Sequence, residues 1–320
     1  MREDLLSAVE ADFQLLREEN ERTEISRREE IRRNYPEIEK LAEEREKLIH
    51  GTIRKILSGG EQAEKLPEIM EEKNARIRTL LREAGLPEDY LSPVYRCPVC
   101  RDTGYTGDPV RTRCDCFRKA YQKKLRESIG LGNGSRETFE SFDAARIPTD
   151  MIPEIGRSQR ELALFARQQC EQWADRYPEN TRKNILLTGP SGTGKTFLLR
   201  AVAERLIERD FPVLVISAYR FIEIARKSYF EGGEGMEELL DIPVLMLDDL
   251  GSEPMMKNIT VEQLFNLVSE RNARGLSTLI STNLNLEELV NRYTERIVSR
   301  ISDPRNTLVI ILQGKDLRSV

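Results

Sequence analysis

The sequence predicts an α/β protein: a doubly wound, parallel five-stranded sheet carrying a nucleotide site, preceded by a charged α-helical arm and a small metal-binding module. Three observations predict it. The stretch GPSGTGKT at 189–196 follows an apolar run and opens a helical one. From about residue 153, short apolar runs alternate with helical stretches. Ahead of them, four cysteines crowd between positions 97 and 116.

The 320 residues suit more than one domain, and composition divides them into 1–90, 91–136 and 137–320. Charged residues make up 33%, above the usual quarter, which implies long solvated helix. The formal net charge is −5, but residues 1–90 carry 17 Lys/Arg and 23 Asp/Glu, whereas 91–136 carry 10 and 4. A basic stretch in an acidic protein marks either a solvated surface or an anionic partner. No apolar run is long enough for a membrane span and the first residues contain no secretory signal, so a cytoplasmic protein with no membrane contact is expected.

In the arm, Leu5, Val9, Phe13 and Leu16 recur at helical spacing, as do Leu41, Leu48, Ile49, Ile53 and Ile56. Pro36 suits the first turn of a second helix, and the SGG at 58–60 ends it. A third helix over 68–84 places Ile69, Ile77, Leu80 and Leu81 on one face, with Gly85 as its stop. So polar a set reads as a docking arm, or as a scaffold without a partner.

Cys97, Cys100, Cys114 and Cys116 form two chelating pairs, with two residues inside the first and one inside the second. In a reduced compartment they read as a metal site rather than disulfides. Four thiolates suit a closed tetrahedral zinc site, with no position open for catalysis; iron–sulfur ligation is the rival. His50 reads as a surface residue and Cys170 as a packed one. The residues Arg96, Arg101, Arg111, Arg113, Arg118, Lys119, Lys123, Lys124 and Arg126 give the cluster a basic flank suited to nucleic acid or an acidic surface. A basic helix over 118–130 and a linker over 131–150 follow.

The expected strands are 184–189, 212–218, 243–249, 276–283 and 307–313, with helices at about 156–175, 195–208, 219–228, 260–273 and 286–302. Gly189, Pro190, Ser191, Gly192, Thr193, Gly194, Lys195 and Thr196 match the full P-loop pattern in its proper strand-to-helix context. Backbone N–H groups would face the phosphates of ATP, Lys195 would reach the β and γ oxygens, and Thr196 would ligate Mg2+. VLMLDDLG delivers Asp248, for Mg2+, and Asp249, to orient or deprotonate the attacking water. STN places Asn283 beside the γ-phosphate as a polar sensor. Arg296 and Arg300 share a helix face, and an arginine there can reach a neighbouring subunit as a finger in trans, or simply form surface salt bridges.

The succession of P-loop, LMLDDLG, STN and ERIVSRI resembles the AAA+ ATPases. Within them it resembles the DnaC/DnaI type of bacterial replicative-helicase loaders and the related IstB transposition helpers, over about 137–318. ETFESFD, ISAYRFIEIARKSY and the ending GKDLR share that resemblance, and the cysteines resemble the loader branch with a zinc-bearing N-terminal domain. The resemblance implies a sheet of order 5-1-4-3-2, an ATP-dependent homo-oligomer, docking on the replicative DNA helicase through the N-terminal part, and single-stranded DNA contact from the ATPase core. It puts Lys195, Thr196, Asp248, Asp249, Asn283 and Arg300 on family positions, and Phe139 and Phe142 near the adenine. The family more often has Glu where Asp249 stands, so the acid here is a methylene shorter. Arg318 falls at a second-sensor position, but the chain ends at Val320 without a C-terminal lid.

The leading expectation is therefore an ATPase of DNA replication, acting in the primosome by loading a ring helicase onto single strands with ATP, Mg2+ and Zn2+. A transposase accessory ATPase binding duplex DNA is the alternative, and a small-molecule kinase is disfavoured because no acceptor pocket or lid is evident. Tyr219, Phe221 and Tyr229 are candidates for stacking on bases.

Overall fold

A computed structural model describes residues 2–57, 66–128, 137–231 and 235–318. The proposed helix stop at 58–60 lies outside them, as does most of the expected linker's first half. The chain forms two compact units: Ala8–Phe117, and Arg118–Val320 with Met1–Ser7. The expected boundaries at 90 and 136 are therefore not those of the compact units.

In the first unit, α1 (Arg2–Asn34) from Ala8 on, α2 (Pro36–Leu57) and α3 (Leu66–Glu83) precede a small hairpin of β1 (Tyr105–Thr106) and β2 (Thr112–Arg113). Pro36 starts α2, where its missing N–H costs nothing. Ile31, Ile38, Ile77, Leu80 and Leu81 form a small core capped by Tyr35, Leu86, Tyr90 and Leu91. This core sits where α2 begins and α3 ends, so Ile69, two turns back, is 40% exposed rather than buried. Val9 and Phe13 of α1 are buried, and Phe13 stacks on Phe117 at 5.5 Å. The helices thus share one unit with the cysteine module.

Helix α4 (Asp115–Ser128) carries the fourth cysteine in its first turn. The second unit continues with a hairpin of β3 (Met151–Ile152) and β4 (Arg157–Ser158), which begins just past the expected linker and takes the first residues of the helix expected over 156–175. Ser158 and Glu161 form a capping box that opens α5 (Gln159–Arg176). The remaining elements are β5 (Asn184–Thr188), α6 (Lys195–Glu208), β6 (Val213–Ser217), α7 (Ala218–Glu231), α8 (Met236–Asp241), β7 (Val244–Leu250), α9 (Thr260–Ala273), β8 (Ser277–Thr282), α10 (Leu286–Tyr293), α11 (Glu295–Ile301) and β9 (Thr307–Ile311).

The sheet order is β6-β7-β8-β5-β9, all parallel, which is the expected 5-1-4-3-2. Alternate strand residues such as Ile185, Leu187, Val213 and Met246 face α5 and α6, while Leu186, Leu214 and Leu247 are buried on the opposite face. The helix expected over 286–302 is two helices, because Thr294 adopts φ +84° between them. Short α8 lies between the helices expected at 219–228 and 260–273. Among the described residues no helix is long and apolar enough to cross a membrane.

Candidate active site and metal centre

The strand ends β5, β7 and β8 and the start of α6 converge on a cavity of about 680 Å³. Residues 191–196 of the P-loop line it, with Asp248, Asp249 and Asn283; Gly189 and Pro190 enter through their carbonyls, each accepting from Lys195 Nζ at 2.7 Å. Lys195 is 6% exposed. Burial pulls its ammonium below its usual pKa, while Asp249 and Asp248 oppose that shift. Gly194 holds φ +96° directly before α6, leaving the helix N-terminus open to an anion.

Thr196 Oγ1 donates to Asp248 Oδ1 at 3.0 Å, and Ser281 Oγ donates to the same oxygen at 2.5 Å. A hydroxyl and a carboxylate so placed are the hard oxygen ligands that Mg2+ takes. Neighbouring strand residues normally point to opposite faces. Here both acids line the cavity, because Asp249 adopts φ +59° where the β7–β8 register shifts between Leu247 and Leu250. Asp is among the few side chains that tolerate this conformation. Ser281 holds the irregularity by accepting from Asp249 N at 2.9 Å, and Asn283 donates to Asp249 Oδ1 at 2.7 Å. Ser281 was missed from sequence, yet strand alternation puts it on the same side as Asn283, two residues on.

Phe142, Ile147, Ala163 and Leu317 give the cavity an apolar part of its lining. Phe139 is 1% exposed and lies in the core instead, so of the two aromatics expected at the adenine side only Phe142 lines the cavity. Arg200 pairs with Glu137 at the rim, at 3.0 Å. Arg296 and Arg300 are not among the lining residues: both guanidinium groups lie over the Phe265 ring, at 4.6 and 4.5 Å. Of the three candidate stacking aromatics, Tyr219 and Tyr229 are more than half exposed. Phe221 is 1% exposed and cannot meet a base. The basic flank is partly engaged within the protein, since Arg126 pairs at 2.8 Å with Glu204, which is buried on α6.

In the other unit, the four sulfurs of Cys97, Cys100, Cys114 and Cys116 lie within 4.8 Å of one another. The turn that brings the first pair together runs through Arg101 and Asp102, both at positive φ, with Arg101 N donating to Cys97 O at 2.8 Å. Asp102 is 1% exposed. Its carboxylate accepts from Arg96 N at 2.7 Å, Cys97 N at 2.8 Å and Asn20 Nδ2 at 2.8 Å. Asn20 belongs to α1, so a single carboxylate joins the cysteine turn to the long helix. Backbone N–H bonds from Cys100 and Val99 bring the Cys97 thiol down to about 7, whereas burial pushes Cys116 up. The donor set and spacing fit a tetrahedral metal ion held by thiolates. His50 is exposed, and Cys170 is buried in the core of the sheet unit.

Residues 168–300 match the family of IstB-like ATP binding proteins. The replicative helicase loader DnaI of Bacillus subtilis is 26% identical over 255 residues, which cover 78% of this chain and 74% of that protein. The replicative helicase loader DnaC of Escherichia coli is 25% identical over 51% of this chain and 67% of its own length. A putative ATP-binding protein of insertion sequence IS1162 from Pseudomonas fluorescens is 30% identical over 32% of this chain and 45% of its own length.

Proposed function

Because the chain belongs to the DnaC/DnaI type of AAA+ P-loop ATPases, we propose that it loads a replicative DNA helicase onto single-stranded DNA. One observation carries this reading. The match to the DnaI loader spans 255 residues, more than the whole of 137–320, so it extends into the N-terminal helices and cysteines. The insertion-sequence relative matches over only 105 residues. The family match to IstB-like proteins keeps duplex binding beside a transposase as the second reading.

In this mechanism the P-loop amides and Lys195 hold the triphosphate. Thr196 and Asp248 would hold Mg2+, which when bound would supply positive charge against the phosphates. Asp249 takes the proton of the attacking water, and Asn283 fixes its carboxylate toward the γ-phosphate. Arg300 serves the site of a neighbouring copy in an ATP-dependent oligomer. Residues 8–117, with zinc on the four cysteines, dock on the helicase, and the ATPase unit grips the single strand, with Tyr219 and Tyr229 available for stacking.

The test is helicase loading on a closed single-stranded circle. The full chain should form a complex with the hexameric helicase and load it with ATP, and Lys195→Ala should not load. Strand binding should weaken steeply with salt, as lysines and arginines displace counterions. Absence of any helicase complex, together with ATP-dependent binding of duplex in preference to single strands, would establish the transposition reading instead.

A further inference from the structure

After β9 the chain turns back toward the P-loop without regular structure. Leu317 N donates to Gly192 O at 3.0 Å, and Leu317 and Arg318 line the ATP cavity. The two segments are fitted to each other. A Cβ on Gly192, which holds φ +74°, would come within 1.8 Å of Asp316 Oδ1, so a side chain there would push the Asp316 carboxylate from its place. Asp316 Oδ1 in turn accepts from Arg318 N at 2.9 Å, fixing the turn that aims 317 and 318 at the cavity.

What holds the segment is a side chain 156 residues earlier. Gln159, the first residue of α5, donates from Nε2 to Lys315 O at 2.8 Å and accepts from Lys315 N at 2.9 Å. Its carboxamide thus pairs with both backbone groups of one residue, as a strand neighbour would. Gln159 is 4% exposed and lines no part of the cavity. Gly314 makes room for it: a Cβ there would lie 2.2 Å from the Gln159 carboxamide carbon. The capping box of Ser158 and Glu161 in turn fixes where α5, and hence Gln159, begins.

We propose that residues 314–318 are a strap that closes the nucleotide site from the same chain, and that Gln159 is the positioning residue that keeps it closed. The strap adds the apolar Leu317 and the Arg318 cation to the lining of the cavity. The charge of Arg318 already bears on Lys195, whose pKa it lowers. Its work is retention of nucleotide rather than chemistry, since among the described residues Asp249 and Asn283 hydrogen-bond to Ser281 and to each other rather than to the strap.

The proposal rests on ATP binding at the P-loop, so the wild-type chain and Lys195→Ala serve as controls with a fluorescent ATP analogue. Two substitutions break the pairing from opposite sides. Gln159→Ala removes the carboxamide, and Lys315→Pro removes the backbone N–H it accepts, at an exposed position. Each should raise KM for ATP and speed analogue release about tenfold, with saturated kcat within twofold of wild type. The double variant should match the single variants, because both cut one connection. Unchanged KM in both singles, or effects that multiply in the double, would overturn the proposal. So would a lowered melting temperature with unchanged analogue release, which would make Gln159 a stability residue only. Failure of the wild type to bind the analogue would instead refute the nucleotide site itself.

Discussion

Asn283 donates its side-chain N–H to Asp249 Oδ1 across 2.7 Å, from the end of β8 to the bulged end of β7. The amide fixes one carboxylate oxygen of an acid that lines the cavity.

Asp249→Asn should therefore keep ATP affinity and lose turnover. A general base contributes at least ~100-fold, so kcat should fall by about that factor while analogue binding stays within threefold. Steady-state hydrolysis and equilibrium binding, measured on the same preparation, check it. Turnover near wild type would remove Asp249 from the mechanism.

Lys195→Ala should abolish useful nucleotide affinity without unfolding the chain, because among the described residues its Nζ donates to the P-loop's own carbonyls at Gly189 and Pro190. A hydrogen bond to a charged group contributes about 1.5–3 kcal/mol, or roughly 10–100-fold in binding. Isothermal titration with ATP and Mg2+, alongside a thermal melt, separates the two effects. Wild-type affinity would contradict the site.

Arg300→Ala should bind ATP normally and hydrolyse it poorly, since a finger in trans contributes ~1,000-fold or more. Its guanidinium lies on Phe265, outside its own cavity. Mixing it with Lys195→Ala should recover part of the activity, as some neighbours then pair one intact site with one intact arginine. No recovery at any mixing ratio would assign Arg300 to the fold.

Metal analysis of the purified chain should find about one zinc, since four thiolates fill one tetrahedral site. Asp102→Ala should weaken zinc retention against a chelator by about 10–100-fold though Asp102 is no ligand, because Arg96 N, Cys97 N and Asn20 lose their shared acceptor. Iron in the preparation, or unaltered retention in the variant, would count against this account.

The sequence by itself determined the sheet, the P-loop and the cysteine quartet. Each is written in short spacing: buried parallel strands are apolar runs, a phosphate loop is eight contiguous residues, and a metal knuckle is a pair of close thiols. Hence β5 to β9 fall within two residues of their expected limits at both ends. Only the tertiary structure decided how distant pieces meet. Asp249 lines the cavity beside Asp248 because a register shift and the Ser281 hydroxyl hold it at positive φ. Periodicity alone would turn one of these acids away. Phe221 and Phe139 share residue type with exposed or lining aromatics, yet the core takes them. Asn20 meets Asp102 across 82 residues, and Gln159 meets Lys315 across 156. Such pairings leave no periodic signal, because hydrogen-bond partners are chosen by proximity in space, and the packing of the whole unit sets that proximity.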